Sequence, residues 1–196
     1  MSKNILKISL LGDKNVGKTS IVTAYTKNEF SYETLATTGI DTSFIKKTFD
    51  NVEYTIKIFD TVGQERYNSI STTTIQMAHG FFMVFALDNR KSFERIVHWI
   101  NYISDYVNLQ EKILYIIGNK SDVKPEERVV TKEEAEEFSK NKNAKYFETS
   151  ALTRNGINDA FEEMFKDAYK KRNNMNSNII IDGKNGNNDK KKCLCF

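Results

Sequence analysis

The run Gly12-Asp13-Lys14-Asn15-Val16-Gly17-Lys18-Thr19-Ser20 constrains this chain more than any other feature. It fits G-x-x-x-x-G-K-[ST] and follows Ile5-Leu6-Lys7-Ile8-Ser9-Leu10-Leu11, an apolar stretch of strand length, so the order reads strand, glycine loop, helix. Without Cβ atoms, Gly12 and Gly17 let the loop take positive φ and turn backbone N–H groups inward on an anion. The helix expected to begin near Gly17 aims the positive end of its dipole at the same point. Lys18 would place an ammonium between the β- and γ-phosphates of a nucleotide, and the Thr19 hydroxyl is a hard oxygen suited to Mg2+.

Such a loop serves ATPases and small-molecule kinases equally well, so base choice has to come from elsewhere. Asn119-Lys120-Ser121-Asp122 follows a second strand-like run, Ile113-Leu114-Tyr115-Ile116-Ile117-Gly118, and so sits at a carboxyl strand end, where open α/β sheets bind ligands. A carboxylate there accepts hydrogen bonds from N1–H and the exocyclic amine of guanine. Adenine has no N1–H and would leave Asp122 unpaired, a cost of ~1 to 3 kcal/mol and more for a charged group. The two motifs together point to a guanine nucleotide.

A third run, Tyr54-Thr55-Ile56-Lys57-Ile58-Phe59, ends in Asp60-Thr61-Val62-Gly63-Gln64-Glu65-Arg66. Asp60 is placed to hold Mg2+ through water, the Gly63 N–H to reach a γ-phosphate oxygen, and Gln64 to align a water for in-line attack. Residues 30 to 41 are polar without sustained period and read as a mobile loop that orders around γ-phosphate and metal through Thr37.

On these motifs the chain resembles a small GTPase of the Ras superfamily, and within it most a Rab. The resemblance spans residues 5 to 172; its Rab character draws on Gly39-Ile40-Asp41, Gly63-Gln64-Glu65-Arg66-Tyr67, Lys91-Ser92-Phe93 and the terminal cysteines. It implies that Thr19 and Thr37 ligate Mg2+ beside Asp60, and that catalysis falls to Gln64, Thr37 and Lys18. It also implies that Phe30 packs against the guanine and that Thr149-Ser150-Ala151, continuing to Leu152, closes over the base. The implied activity is a GTP-on, GDP-off switch in vesicle traffic. Its implied partners are a guanine nucleotide exchange factor, a GTPase-activating protein, a GDP-dissociation inhibitor or escort protein, and effectors that read the two mobile loops.

The chain departs from the Rab pattern in places. Thr42, Phe59 and Thr74 stand where Rabs present Phe, Trp and Tyr, and Thr74-Ile75-Gln76-Met77 replaces Tyr-Tyr-Arg-Gly. Lys14 occupies a position that is glycine or small in relatives. With Val62 in place of alanine, it is expected to slow hydrolysis by crowding Gln64; the alternative is that Lys14 points into solvent.

At 196 residues and 39% hydrophobic, the chain has room for one domain with a full core. Further apolar runs at Phe81-Phe82-Met83-Val84-Phe85-Ala86-Leu87 and Ala144-Lys145-Tyr146-Phe147-Glu148-Thr149 alternate with helical stripes. One stripe spans residues 92 to 107, and another is Ile157, Ala160, Phe161, Met164, Phe165 and Ala168. Thr131-Lys132-Glu133-Glu134 reads as a capping box that opens a further helix. The expected fold is α/β, the P-loop GTPase fold: a mostly parallel six-stranded sheet with helices on both faces. One strand runs antiparallel, through a hairpin at Asp50-Asn51.

Residues 1 to 172 are thus read as the GTPase domain and 173 to 196 as a disordered tail, since seven of those last 24 residues are asparagine. From Lys166 onward the net charge is +5 against +3 for the whole chain, leaving −2 for residues 1 to 165, which argues against nonspecific nucleic-acid binding by the folded part. The end, Lys190-Lys191-Lys192-Cys193-Leu194-Cys195-Phe196, holds the only two cysteines, which excludes a disulfide scaffold and fits a reducing compartment. It reads either as a C-a-a-X box with one prenyl group on Cys193 or as a C-x-C pair modified on Cys193 and Cys195. No signal peptide or membrane-spanning run is apparent, so the expected location is the cytosolic face of an intracellular membrane, cycling with the cytosol.

Other functions compete with the hydrolytic switch. A slow or non-hydrolysing GTP-binding scaffold and a Ras- or Rho-type signalling GTPase remain open. An ATP-dependent kinase conflicts with Asp122, and the short span from Lys18 to Thr37 excludes the helical insert of a heterotrimeric Gα.

Overall fold

A computed structural model describes residues 4–27, 29, 41–61 and 72–185. Its six strands are β1 (Ile5–Leu11), β2 (Asp41–Phe49), β3 (Val52–Asp60), β4 (Gly80–Ala86), β5 (Ile113–Asn119) and β6 (Lys145–Thr149). They form one sheet in the order β2-β3-β1-β4-β5-β6. β2 pairs antiparallel with β3 and every other pairing is parallel. The hairpin turn lies at Asp50 and Asn51, both at positive φ (46° and 63°), the pair of left-handed residues that matches the twist of the flanking strands.

Six helices are described: α1 (Lys18–Thr26), α2 (Thr72–Met77), α3 (Arg90–Glu94), α4 (Ile96–Ser104), α5 (Lys132–Asn141) and α6 (Ile157–Asn185). Alternation along each strand splits the core in two. Leu6, Ile8 and Leu10 of β1 point with Phe82 and Val84 toward α1 and α6, where Phe161 and Phe165 are fully buried. Leu11, Phe81, Met83 and Phe85 point the other way, against Ile75 of α2, Phe93 of α3, Ile96 and Ile100 of α4 and Ala135 of α5. The sheet is therefore covered on both faces, as its nearly continuous apolar strands require.

Two local readings change. The stripe over residues 92 to 107 is two helices, because at Arg95 (φ −76°, ψ −8°) the backbone relaxes toward turn geometry while still accepting from Trp99 N–H at 3.2 Å. The capping box is only half formed. Thr131 Oγ1 accepts from Glu134 N–H at 3.2 Å, but the Glu134 carboxylate goes to Arg90 Nη1 at 2.6 Å instead of returning to the cap. The last helix, α6, runs past Arg172, and its backbone continues to Asn185. No proline interrupts that stretch, and once the packed turns from Ile157 have nucleated the helix each added residue costs little.

Candidate functional site

The loop after β1 emerges at the carboxyl edge of the sheet, where the connections of β1 and β4 leave in opposite directions. Its glycines are there for sterics. A Cβ on Gly12 (φ +147°) would lie 2.1 Å from the Val84 carbonyl oxygen, and one on Gly17 (φ +91°) would lie 2.3 Å from Asn119 Nδ2. Gly17 is the N-cap of α1 and brings no side-chain cap, so the first N–H groups of the helix are left to other acceptors.

Lys18 is 5% exposed and donates from Nζ to the carbonyls of Gly12 and Asp13, each at 2.8 Å. Burial lowers its pKa from 10.5 to about 8, against the opposing pull of Asp60 and Asp13. An anion in this loop would favour the charged ammonium further. Val16 is fully buried, Ser20 half-buried, and Lys14 and Asn15 are exposed, Asn15 at φ 62°. Val62 and Gln64, the residues that bear on the expectation for Lys14, lie outside the described residues.

Asp60, at the end of β3, accepts from Thr19 Oγ1 at 2.5 Å through Oδ2. Its Oδ1 is buried without a hydrogen-bond partner among the described residues. Burial pushes the Asp60 carboxyl above its ordinary value; Asp41 adds to the rise, while the Thr19 bond and Lys18 oppose it. A buried carboxylate oxygen without a partner beside a hydroxyl is a hard-oxygen pair that fits Mg2+.

The second half of the site lies at the carboxyl ends of β5 and β6. Asn119 donates from Nδ2 to Val16 O at 2.8 Å and meets Thr149 Oγ1 through Oδ1 at 3.1 Å, so one buried amide ties the glycine loop to both strand ends. Ser150 Oγ donates to Asp122 Oδ1 and also accepts from Thr153 N–H at 3.0 Å, which fixes the orientation of the carboxylate. Lys120 (φ 66°) bonds both oxygens of Asp88, at 2.9 and 3.1 Å. Ala151 is buried beneath this loop, whereas Leu152 is 40% exposed.

The structure thus brings Gly12 to Ser20, Asp60, Asn119 to Asp122 and Thr149 to Leu152 to one edge of the sheet. Phe30, Thr37, Val62, Gly63, Gln64, Cys193 and Cys195 lie outside the described residues. Sequence reading missed Arg95 and Trp99, which reach Asp13, and Asp88, which holds Lys120. No local pattern marks them, since their partners are 32 to 86 positions away.

The Ras family model matches residues 7–170. The chain belongs to the Ras family. It is 36% identical over 198 aligned residues to the Ras-related protein RabC of Dictyostelium discoideum, covering 95% of this chain and 99% of that relative. It is 31% identical over 181 residues to Rab-11C of the same organism, covering 92% and 80%. To Rab11B of Nicotiana tabacum it is 31% identical over 166 residues, covering 85% and 76%. The chain is therefore a Rab-like small GTPase, an enzyme that hydrolyses GTP to GDP and phosphate. Ras-family GTPases use Mg2+ with the nucleotide and act together with regulators and effectors. Among the described residues no helix is long and apolar enough to cross a membrane.

Proposed function

We propose that this GTPase is a Rab-type switch in vesicle-mediated membrane traffic, its bound nucleotide deciding which partners engage residues 30 to 41 and the segment from Asp60 to Arg66. The observation that carries the reading is Asn119. One side chain ties the loop holding Lys18 and Thr19 to the loop holding Ser150 and Asp122, so phosphate and base ends form one crevice.

At the phosphate end, Lys18 and the N–H groups of α1 neutralise the β- and γ-phosphates. Thr19 and Asp60, with Thr37 in the triphosphate state, would hold Mg2+, which supplies charge stabilisation to the transferring phosphoryl group. Gln64 orients the attacking water, with Gly63 on the γ-phosphate. At the base end Asp122 pairs with the guanine edge, Asn119 and Lys120 flank the ring, Phe30 packs on it, and residues 149 to 152 close over it.

Cys193, alone or together with Cys195, following Lys190-Lys191-Lys192, anchors the protein by prenylation to the cytosolic face of an intracellular membrane. Exchange factor, GTPase-activating protein, escort protein or GDP-dissociation inhibitor, and effectors complete the cycle. Imaging a tagged copy with and without its last four residues tests this reading. Vesicular membranes should be decorated only by the intact chain, and cytosolic distribution of both forms would refute it.

A further inference from the structure

Asp13 of the glycine loop has a second attachment that the phosphate chemistry does not use. Its carboxylate is 14% exposed and turns away from the loop toward α4. There Arg95 Nε lies 3.0 Å from both carboxylate oxygens, and Trp99 Nε1 donates to Oδ1 at 2.8 Å. The main-chain carbonyl of the same residue accepts from Lys18 Nζ at 2.8 Å. Asp13 therefore faces two ways: its backbone holds the ammonium, and its side chain is held by a helix on the far side of the loop.

We propose that Asp13 is a positioning residue for the nucleotide site, clamped by Arg95 and Trp99 so that residues 13 to 15 keep the curvature that presents their N–H groups to the phosphates. Two pins then define the loop. Val16 is fixed from β5, where Asn119 Nδ2 donates to its carbonyl at 2.8 Å, and Asp13 is fixed from α4. Between them lie only Lys14 and Asn15, both exposed, so loss of either pin frees the span. A charge-assisted pair that is largely shielded from water and doubled by an indole donor is strong enough to act as a pin. The inference rests on the nucleotide reading of the crevice, and it adds α4 as the element that sets the shape of the loop.

Trp99 is the single tryptophan of the chain and 6% exposed, so its emission reports on the surroundings of this contact and on no other indole. The test uses the full chain loaded with GDP. In Asp13→Ala, GDP release measured by chase with excess unlabelled nucleotide is expected to accelerate on the order of tenfold. In Asp13→Asn, which keeps an acceptor for the indole but loses the charge facing Arg95, the acceleration is smaller. Trp99→Phe, which leaves the loop sequence intact, accelerates release in the same direction. A double-mutant cycle between Asp13→Ala and Arg95→Ala is non-additive. The change in Trp99 emission on GDP release in the wild type is absent from Asp13→Ala.

Wild-type release from Asp13→Ala, an additive cycle, or an unaltered Trp99 response would each overturn the clamp. If Asp13→Ala does not fold, Trp99→Phe and Asp13→Asn decide the matter by the same rates. A wild-type protein that takes up no GDP would instead overturn the nucleotide reading, and the clamp with it.

Discussion

The Thr19 hydroxyl donates to Asp60 Oδ2 at 2.5 Å across 41 positions of chain, while the neighbouring oxygen, Asp60 Oδ1, is buried with no partner among the described residues. An acceptor oxygen left unmatched in the interior costs free energy unless something else satisfies it, and the residues around it suit a small hard cation. Thr19→Ala removes the hydroxyl and leaves the carboxylate. Affinity for Mg2+ in the GDP complex is expected to fall on the order of 10- to 100-fold, read as the Mg2+ concentration needed to retard GDP release. An unchanged Mg2+ dependence would show that Thr19 serves only the Asp60 hydrogen bond.

Asp122 is oriented by Ser150 Oγ, so its remaining acceptor capacity faces outward from the loop. Asp122→Ala should lower affinity for GTP by on the order of 10²-fold or more while leaving weak binding of triphosphate intact, because the phosphate end is untouched. Competition of labelled GTP by ATP measures this. The wild type should ignore ATP, and the variant should discriminate little between the two.

Gly12 and Gly17 separate a structural cost from a functional one. In Gly12→Ala the new methyl meets a backbone carbonyl, Val84 O, at 2.1 Å, and a positive φ of 147° adds strain. Destabilisation of about 2 to 3 kcal/mol is expected, lowering Tm by roughly 5 to 10 °C. In Gly17→Ala the methyl meets the Asn119 side chain at 2.3 Å, which can move, but only by giving up Val16 O and Thr149. That variant should lose nucleotide affinity out of proportion to its loss in Tm.

His79 provides a pH signature remote from the crevice. Burial lowers its pKa from 6.5 to about 4, with Arg172, Lys112 and Lys7 contributing, and Nδ1 accepts from Lys7 N–H at 3.1 Å. The unfolded chain therefore binds the proton more tightly than the folded one between pH 4 and 6.5. The contribution of His79 is fully present above pH 6.5 and is lost as pH falls toward 4, amounting to about 3 kcal/mol. His79→Asn keeps an acceptor for Lys7 and cannot titrate. Denaturant unfolding at pH 7 and pH 4 should show a smaller stability loss in the variant by about that amount.

Much of the scaffold can be read from the sequence because it rests on local pattern. β1 occupies the apolar run before Gly12 without a residue's difference, and the Asp50-Asn51 hairpin follows from residues that tolerate positive φ. Apolar continuity announces a strand covered on both faces before any partner is known. Relationships made at long range leave no such trace. The hold of Arg95 and Trp99 on Asp13 spans 82 and 86 positions, and nothing beside Arg95 distinguishes it from a solvated helix residue. Glu134 is similar: its spacing from Thr131 suggests a reciprocal cap, but Arg90, brought near by the packing of α3, offers the carboxylate a charged donor. The expectations for Thr37, Gln64 and the cysteines lie outside the described residues.

The central claim is one crevice that grips phosphate at Lys18 and inspects the base at Asp122. Calorimetric titration of nucleotide-free full-length protein with GDP and, separately, ADP in the presence of Mg2+ tests it most directly. The expected result is tight, one-to-one binding of GDP with no detectable heat from ADP. Equal affinity for the two, or no binding of GDP by folded protein, would contradict it.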